Sequence, residues 1–216
     1  MLGLIRKDIY LIIKNFKPIQ IFILIPTIFA ATQNPNFLMP IFCIMISMIL
    51  ASQISQTLII DETEKWNRIL SAMPVSSSAE AGSKYILLII AALLSSVILL
   101  LTGLLAESKG IITKPFIIIY TIFGFFYAII YGAIVIPSAY KFGVYNTRYI
   151  LMIFIFIPTI IPLILNSLNI DFTSALYFIT KLNRNVIVLS IIFLTIIIAL
   201  ISFILTKIVI NKRETS

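Results

Sequence analysis

DETEKWNRILSAMPVSSSAEAGSKY, Asp61 to Tyr85, is a long polar segment between two apolar runs, in a chain that is otherwise nearly all hydrocarbon. Polar groups gain nothing from a lipid interior, so this segment meets water or a partner in water. The flanking runs, Phe37–Ile60 and Ile86–Ala106, hold no charged residue. Each has about the 20 helical residues needed to cross a bilayer core. The 216 residues are 61% hydrophobic and only 11% charged, with mean hydropathy +1.14. A soluble domain carries roughly 25% charged residues. The class is therefore an integral membrane protein.

Sixteen basic and eight acidic residues give a net charge of +8. The basic residues are scattered among apolar runs, whereas nucleic-acid binding wants them gathered on one water-facing patch. Nucleic acid is thus not an expected partner. The single cysteine, Cys43, lies inside an apolar run, so no disulfide forms within the chain. Histidine is absent, which removes any chemistry that needs imidazole.

Six runs qualify or nearly qualify as spans: Ile19–Thr32, Phe37–Ile60, Ile86–Ala106, Phe116–Ala139, Tyr149–Leu165 and Val186–Thr206. None contains Asp, Glu, Lys or Arg. The first is short and carries Pro26. Six spans put both termini on one side. With that side cytoplasmic, 12 of the 16 basic residues lie inside, as the positive-inside rule asks. A five-span layout loses the asymmetry. The expected fold is all-α and integral to the membrane, a single transmembrane domain over 1–216.

Residues 1–18 form an interfacial amphipathic helix in this reading. At 100° per residue, Arg6, Lys7, Tyr10, Lys14 and Lys17 fall within about one quadrant. Leu2, Ile5, Ile9, Ile12, Ile13 and Phe16 lie opposite. The basic face is expected to meet lipid phosphates. A secretory signal, with Phe29-Ala30-Ala31 near a cleavage site, is the weaker reading, because the charged region is too long and too apolar.

Within 61–85, Asp61 and Glu62 end the second span. Trp66, Ile69, Leu70 and Met73 follow at helical spacing, and Pro74 stops the helix because proline cannot continue the hydrogen-bond ladder. Ser76 to Ser78 reads as a turn, and Lys84 as a headgroup-level anchor. A solvated loop with an interfacial helix is the plain reading, although loops of this length without a role are uncommon.

The order Asp61-Glu62, Trp66, Leu70, Pro74-Val75-Ser76 and Lys84-Tyr85 opening a span resembles the signature of ABC-type-2 exporter permeases. The closest resemblance is to the phenol-soluble-modulin (Pmt-type) peptide exporter permease subunit. The resemblance covers the whole layout of interfacial helix, six spans, long first cytoplasmic loop and short second one. One departure is that Ser77 and Ser78 stand where a basic residue often follows Pro-x-Ser in the family.

The resemblance implies that 61–85 carries a coupling helix docking on a cytosolic ATPase, with Asp61, Glu62, Trp66, Ile69, Leu70, Met73, Pro74 and Lys84 at the contact. It also implies two permease copies with two ATPase copies, in a bacterial cell membrane. A second, smaller contact would fall in the loop 140–148, with Lys141 and Arg148. An aromatic belt with two orientation anchors explains that loop equally well. Pro158 and Pro162 break the fifth span, and family members have re-entrant helices closing the outer mouth where 158–184 lies here.

The chain contains no G-x-x-x-x-G-K-[ST], so it has no phosphate-binding loop. Nor do the spans hold an ionisable group of the kind that proton- or sodium-coupled carriers keep at mid-depth. Energy then comes from outside the chain. It is a transporter subunit, not itself an enzyme, and needs no cofactor of its own; ATP and Mg belong to the partner. Expected partners are the ATPase, a second permease copy, membrane lipid and an amphipathic peptide substrate.

In the fourth span Gly124, Ala128 and Gly132 recur every four residues, a spacing that lets helix backbones approach. Tyr120, Phe123, Tyr127 and Tyr131 form a neighbouring stripe. With Gln53 and Gln56 of the second span, Tyr120, Tyr127 and Tyr131 are candidates for a substrate path. Helix packing and helix-to-helix hydrogen bonds are the alternative use of all of them.

The leading function is the permease subunit of an ATP-driven exporter of amphipathic peptides. The alternative is the substrate-binding membrane subunit of a vitamin-type ABC importer, which lacks so long a first cytoplasmic loop. Intramembrane enzyme chemistry needs paired acids, histidines or metal ligands at depth, and the spans offer none.

Overall fold

The computed structural model describes residues 1–15, 35–73, 75–111, 114–147, 149–150, 152–153 and 184–214. The expected first span, nearly all of the fifth, Pro74, Arg148 and almost all of 158–184 lie outside the described residues.

Among the described residues the main helices, in chain order, are α1 (Leu2–Asn15), α2 (Pro35–Thr63), α3 (Trp66–Ser71), α4 (Ser77–Ser108), α5 (Lys114–Phe142) and α6 (Arg184–Glu214). Among the described residues the fold is all-helical. Four stretches of the described residues are long and apolar enough to cross a membrane: Phe42–Thr63, Ser77–Ser108, Ile117–Phe142 and Val188–Lys212. They coincide with the second, third, fourth and sixth apolar runs.

The centre of the bundle is α5, which packs against α4, α6 and α2, while α1 rests on α4 and α2. Small residues make the close approaches. A Cβ on Gly132 would strike the Leu88 side chain of α4, and one on Gly124 would strike Leu99 of α4 and approach Ser47 of α2. Ala128 between them is fully buried. This face of α5 therefore lies against α4 and α2, as close backbone packing in a membrane requires.

Two expectations need correction. The polar segment is not mainly a loop: α4 begins at Ser77, nine residues before the apolar run. Ser76 to Ser78 is a helix start and not a flexible turn. The Ser76 hydroxyl accepts the Ala79 amide at 3.3 Å, and Glu80 sits in the first turn. Both features stabilise a helix N-terminus, the cap by about 1 kcal/mol.

The second correction concerns α1. Arg6, Tyr10 and Lys14 are exposed, but Lys7 turns inward beside Asp8, which is 1% exposed. The basic face is split because the one acid of this helix must find cations inside the bundle.

One interior joint follows directly from sequence. Pro137 lies inside α5 and has no N–H, so the carbonyl four residues back, on Ala133, loses its helical donor. Ser202 of α6 supplies a replacement, its hydroxyl donating to the Ala133 carbonyl at 2.5 Å. Tyr85 of α4 pairs its hydroxyl with Ser202 and, at 3.0 Å, with Thr206. Its ring meets Phe203 edge-on. Three helices are thus joined through one carbonyl that proline had orphaned.

Ser202→Ala should lower stability by about 1–3 kcal/mol, the cost of a buried polar group left unpaired. Pro137→Ala should restore the lost N–H and make Ser202→Ala markedly less costly. Thermal unfolding of the two single variants and the double variant in detergent checks this, and strict additivity would refute the account.

Candidate functional site

The site is built where the polar segment meets α1. The α2 helix runs past its apolar stretch to Thr63. The chain then turns through Lys65, whose backbone is left-handed at φ 52, into α3. The hinge places Asp61 and Glu62 on the last turn of α2 and Trp66 at the start of α3.

Asp61 is part of a closed charge cluster. The Lys84 ammonium reaches Asp61 Oδ2 at 2.7 Å, Asp8 Oδ2 at 2.9 Å and the Thr57 hydroxyl at 3.4 Å. The Lys7 ammonium reaches Asp61 Oδ1 at 2.5 Å and Asp8 Oδ1 at 3.2 Å. The Lys84 side chain is 4% exposed and that of Asp8 1%. Two cations and two anions from α1, α2 and α4 therefore neutralise one another, with Asp8 and Lys84 almost wholly withdrawn from water and Lys7 partly exposed. A lone charge there would be costly, and each ion is tolerable only because the others are present.

The cluster also holds α3. The Lys7 ammonium lies 4.4 Å from the centroid of the Trp66 ring, within cation–π range. The Trp66 indole N–H finds no acceptor among the described residues, so the ring face is its identified polar contact. Leu70, one turn on, is buried, whereas Ile69 and Met73 are 44% and 45% exposed. The segment thus has an anchored side and an apolar side open to a partner.

Glu62, the neighbour of Asp61, faces the second connection. Its carboxylate accepts the Val144 amide at 2.7 Å. Val144 opens a helical turn over 144–147, so Glu62 acts as that turn's cap. Gly143 makes this approach feasible. It ends α5 in the left-handed region at φ +81, where glycine costs least, and its amide closes on the Ala139 carbonyl at 3.0 Å. A Cβ there would also stand 3.2 Å from the Glu62 carboxylate. The Tyr140 hydroxyl bonds Glu80, joining α5 to the first turn of α4. The first and second connections at this end of the bundle are therefore one hydrogen-bonded body.

Of the residues expected at a coupling contact, Asp61, Glu62, Lys84 and Trp66 are brought together, and Leu70 is buried near them. Ile69 and Met73 face outward. Lys141 is exposed, with its ammonium 5.0 Å from the Phe142 ring centroid.

Of the substrate-path candidates, Tyr131 is buried and shares a 2.9 Å hydrogen bond with Ser55, and Tyr127 is buried beside Phe123. Gln53 is buried and donates to the Ile49 carbonyl at 3.1 Å, while Gln56 and Tyr120 are half-buried. In this conformation the buried ones contact protein between α2 and α5.

The sequence reading missed Asp8, Lys7, Thr57, Tyr140 and Gly143. One signal was present: Asp8 is the only acid in α1.

Lys84→Met should leave Asp8 and Asp61 facing each other without their buried cation, at a cost of about 3–5 kcal/mol. Gly143→Ala should cost about 1–3 kcal/mol through its left-handed backbone, plus the crowding against Glu62. Thermal melts in one detergent check both, and a Lys84→Met protein as stable as the parent would contradict the cluster's role.

Residues 3–210 match a family model described as ABC-2 family transporter protein. No match was found among curated proteins or among solved structures.

Proposed function

The chain belongs to the ABC-2 transporter family, which makes it a multi-pass membrane subunit partnered with an ATPase subunit, and from there we propose that it is the permease of an exporter of amphipathic peptides. In this reading it crosses the membrane six times, with both termini in the cytoplasm of a bacterial cell. Two copies pair with each other and with two ATPase copies. ATP and Mg sit on the ATPase.

The observation that carries the proposal is the two-sided character of α3. Ile69 and Met73 are exposed, while Trp66 and Leu70 hold the same segment to the bundle. Ile69 on this short anchored helix and Met73 in the turn that follows it make an exposed apolar pair that suits docking into a groove of a cytosolic partner. Closure of the ATPase dimer would push on this helix. The charge cluster would pass the push to α1, α2 and α4 together, and the Glu62 contact would pass it to α5. The tilting helices would open a path for the peptide. The long polar segment, the lack of a phosphate-binding loop and the basic bias of one membrane side support this reading.

The paired substitution Ile69→Asp with Met73→Asp should cut co-purification of the ATPase by tenfold or more, with membrane insertion and thermal stability kept. Trp66→Ala should uncouple substrate-stimulated ATP hydrolysis even where the complex still forms. Undiminished co-purification of the Asp pair variant would remove α3 from the interface. ATPase stimulation by phenol-soluble-modulin-like peptides, compared with soluble peptides of equal charge, tests the substrate class.

A further inference from the structure

Five helices meet around a small cavity beside the charge cluster. Its volume is about 10 Å³, the room that one water molecule needs. Leu4 of α1 and Leu70 of α3 give it apolar walls. The remaining lining is polar, with Asp8 on α1, Asp61 on α2, Trp66 on α3, Glu80 on α4 and Tyr140 on α5. Dry voids are lined by hydrocarbon, whereas polar walls of this kind hold water.

Two of the lining residues bring buried atoms that need a partner. The Trp66 indole Nε1 donates to no acceptor among the described residues, and Asp8 Oδ1 accepts no hydrogen bond there. The Lys7 ammonium stands 3.2 Å from that oxygen, an ion pair without hydrogen-bond alignment. One atom thus offers a hydrogen and the other a lone pair, on the walls of the same cavity. Leaving both unpaired out of water would be costly. A water can accept from the first and donate to the second. Glu80 offers a place for its other hydrogen, because a carboxylate has about four lone-pair sites and the Tyr140 hydroxyl uses only one of them. Three partners are about what a buried water usually makes.

We propose that the cavity is a binding site for one ordered water, which accepts from Trp66 Nε1 and donates to Asp8 Oδ1 and Glu80. A cation fits less well, because Lys7 and Lys84 already balance Asp8 and Asp61 and the indole presents a donor. The water gives α3 a bond to α1 and α4 that no side chain supplies. It is also a bond that is remade when α3 shifts slightly, since a water can turn where a direct contact would break. Every wall belongs to this chain, so the site stands whether or not α3 docks on an ATPase.

Trp66 is the one tryptophan of the chain, so its indole N–H gives a single signal that reports on this cavity alone. The full chain in detergent, isotope-labelled at the indole nitrogen, is read by NOESY and ROESY at the water frequency. A bound water should give a cross-peak of opposite sign in the two spectra, whereas exchange of the indole hydrogen with solvent gives the same sign in both. Ser83 also lines the cavity. Ser83→Val places a branched apolar side chain there and should weaken the cross-peak about fivefold or more, because the water loses its room. Ser96→Val should leave it unchanged, although it too removes a hydroxyl bonded to a carbonyl of α4. A missing cross-peak, equal signs in the two spectra, or a cross-peak that survives Ser83→Val overturns the site. An indole signal that moves when sodium is replaced by choline assigns a cation and overturns the water. Should Ser83→Val fail to fold, the sign comparison on the parent protein decides by itself.

Discussion

The burial of Lys84 between Asp8 and Asp61 is the constraint on which the rest depends. An ammonium removed from water must be compensated within a few ångströms or the chain will not fold around it. That demand fixes three things at once. It pulls α1 out of a purely interfacial role, because Asp8 must face inward. It sets the end of α2, because Asp61 must arrive opposite. It also lets α4 start outside its apolar run, because Lys84 can sit on an ordinary helical turn once neutralised. Lys7 then closes the cluster and brings Trp66 with it. The position of α3 is thus a consequence of charge balance and not of its own six residues, too few to be stable alone.

Deeper in the bundle the governing demand is hydrogen bonding. Water is scarce there, so a carbonyl freed by proline has to be answered by another helix. Ser202 answers for Ala133, and Tyr85 and Thr206 complete the chain of hydroxyls. The glycines of α5 act on its other neighbours, letting α4 and α2 approach closely. Polar contacts choose which helices meet, and small residues set how near they come.

Much of this was legible in the sequence. Apolar runs located the four long helices, and the periodic Gly124, Ala128 and Gly132 marked the crowded face of α5. The order of residues around Trp66 resembled a transporter family, and residues 3–210 match the ABC-2 family. What stayed hidden was pairing at long range. Nothing local in the sequence links Asp8 to Lys84 or Glu62 to Val144, because such contacts lie 76 and 82 residues apart. The extra turns of α4 were missed for a related reason. Hydropathy marks where a helix leaves lipid, whereas the Ser76 cap marks where it starts.

That early start has a mechanical meaning. At 1.5 Å per residue, the 32 residues of α4 make a rod about 48 Å long. The bilayer core takes up only about 30 Å of such a rod. The remainder is a handle outside the hydrocarbon, and Lys84 fastens α1 and α2 to it. A tilt of about 10° around the midpoint would move each tip by about 4 Å. A small displacement at the protruding end is therefore delivered to the opposite membrane face as a sideways movement of comparable size and reversed direction. A rod pivoting in the packed middle of the bundle would act as a first-class lever.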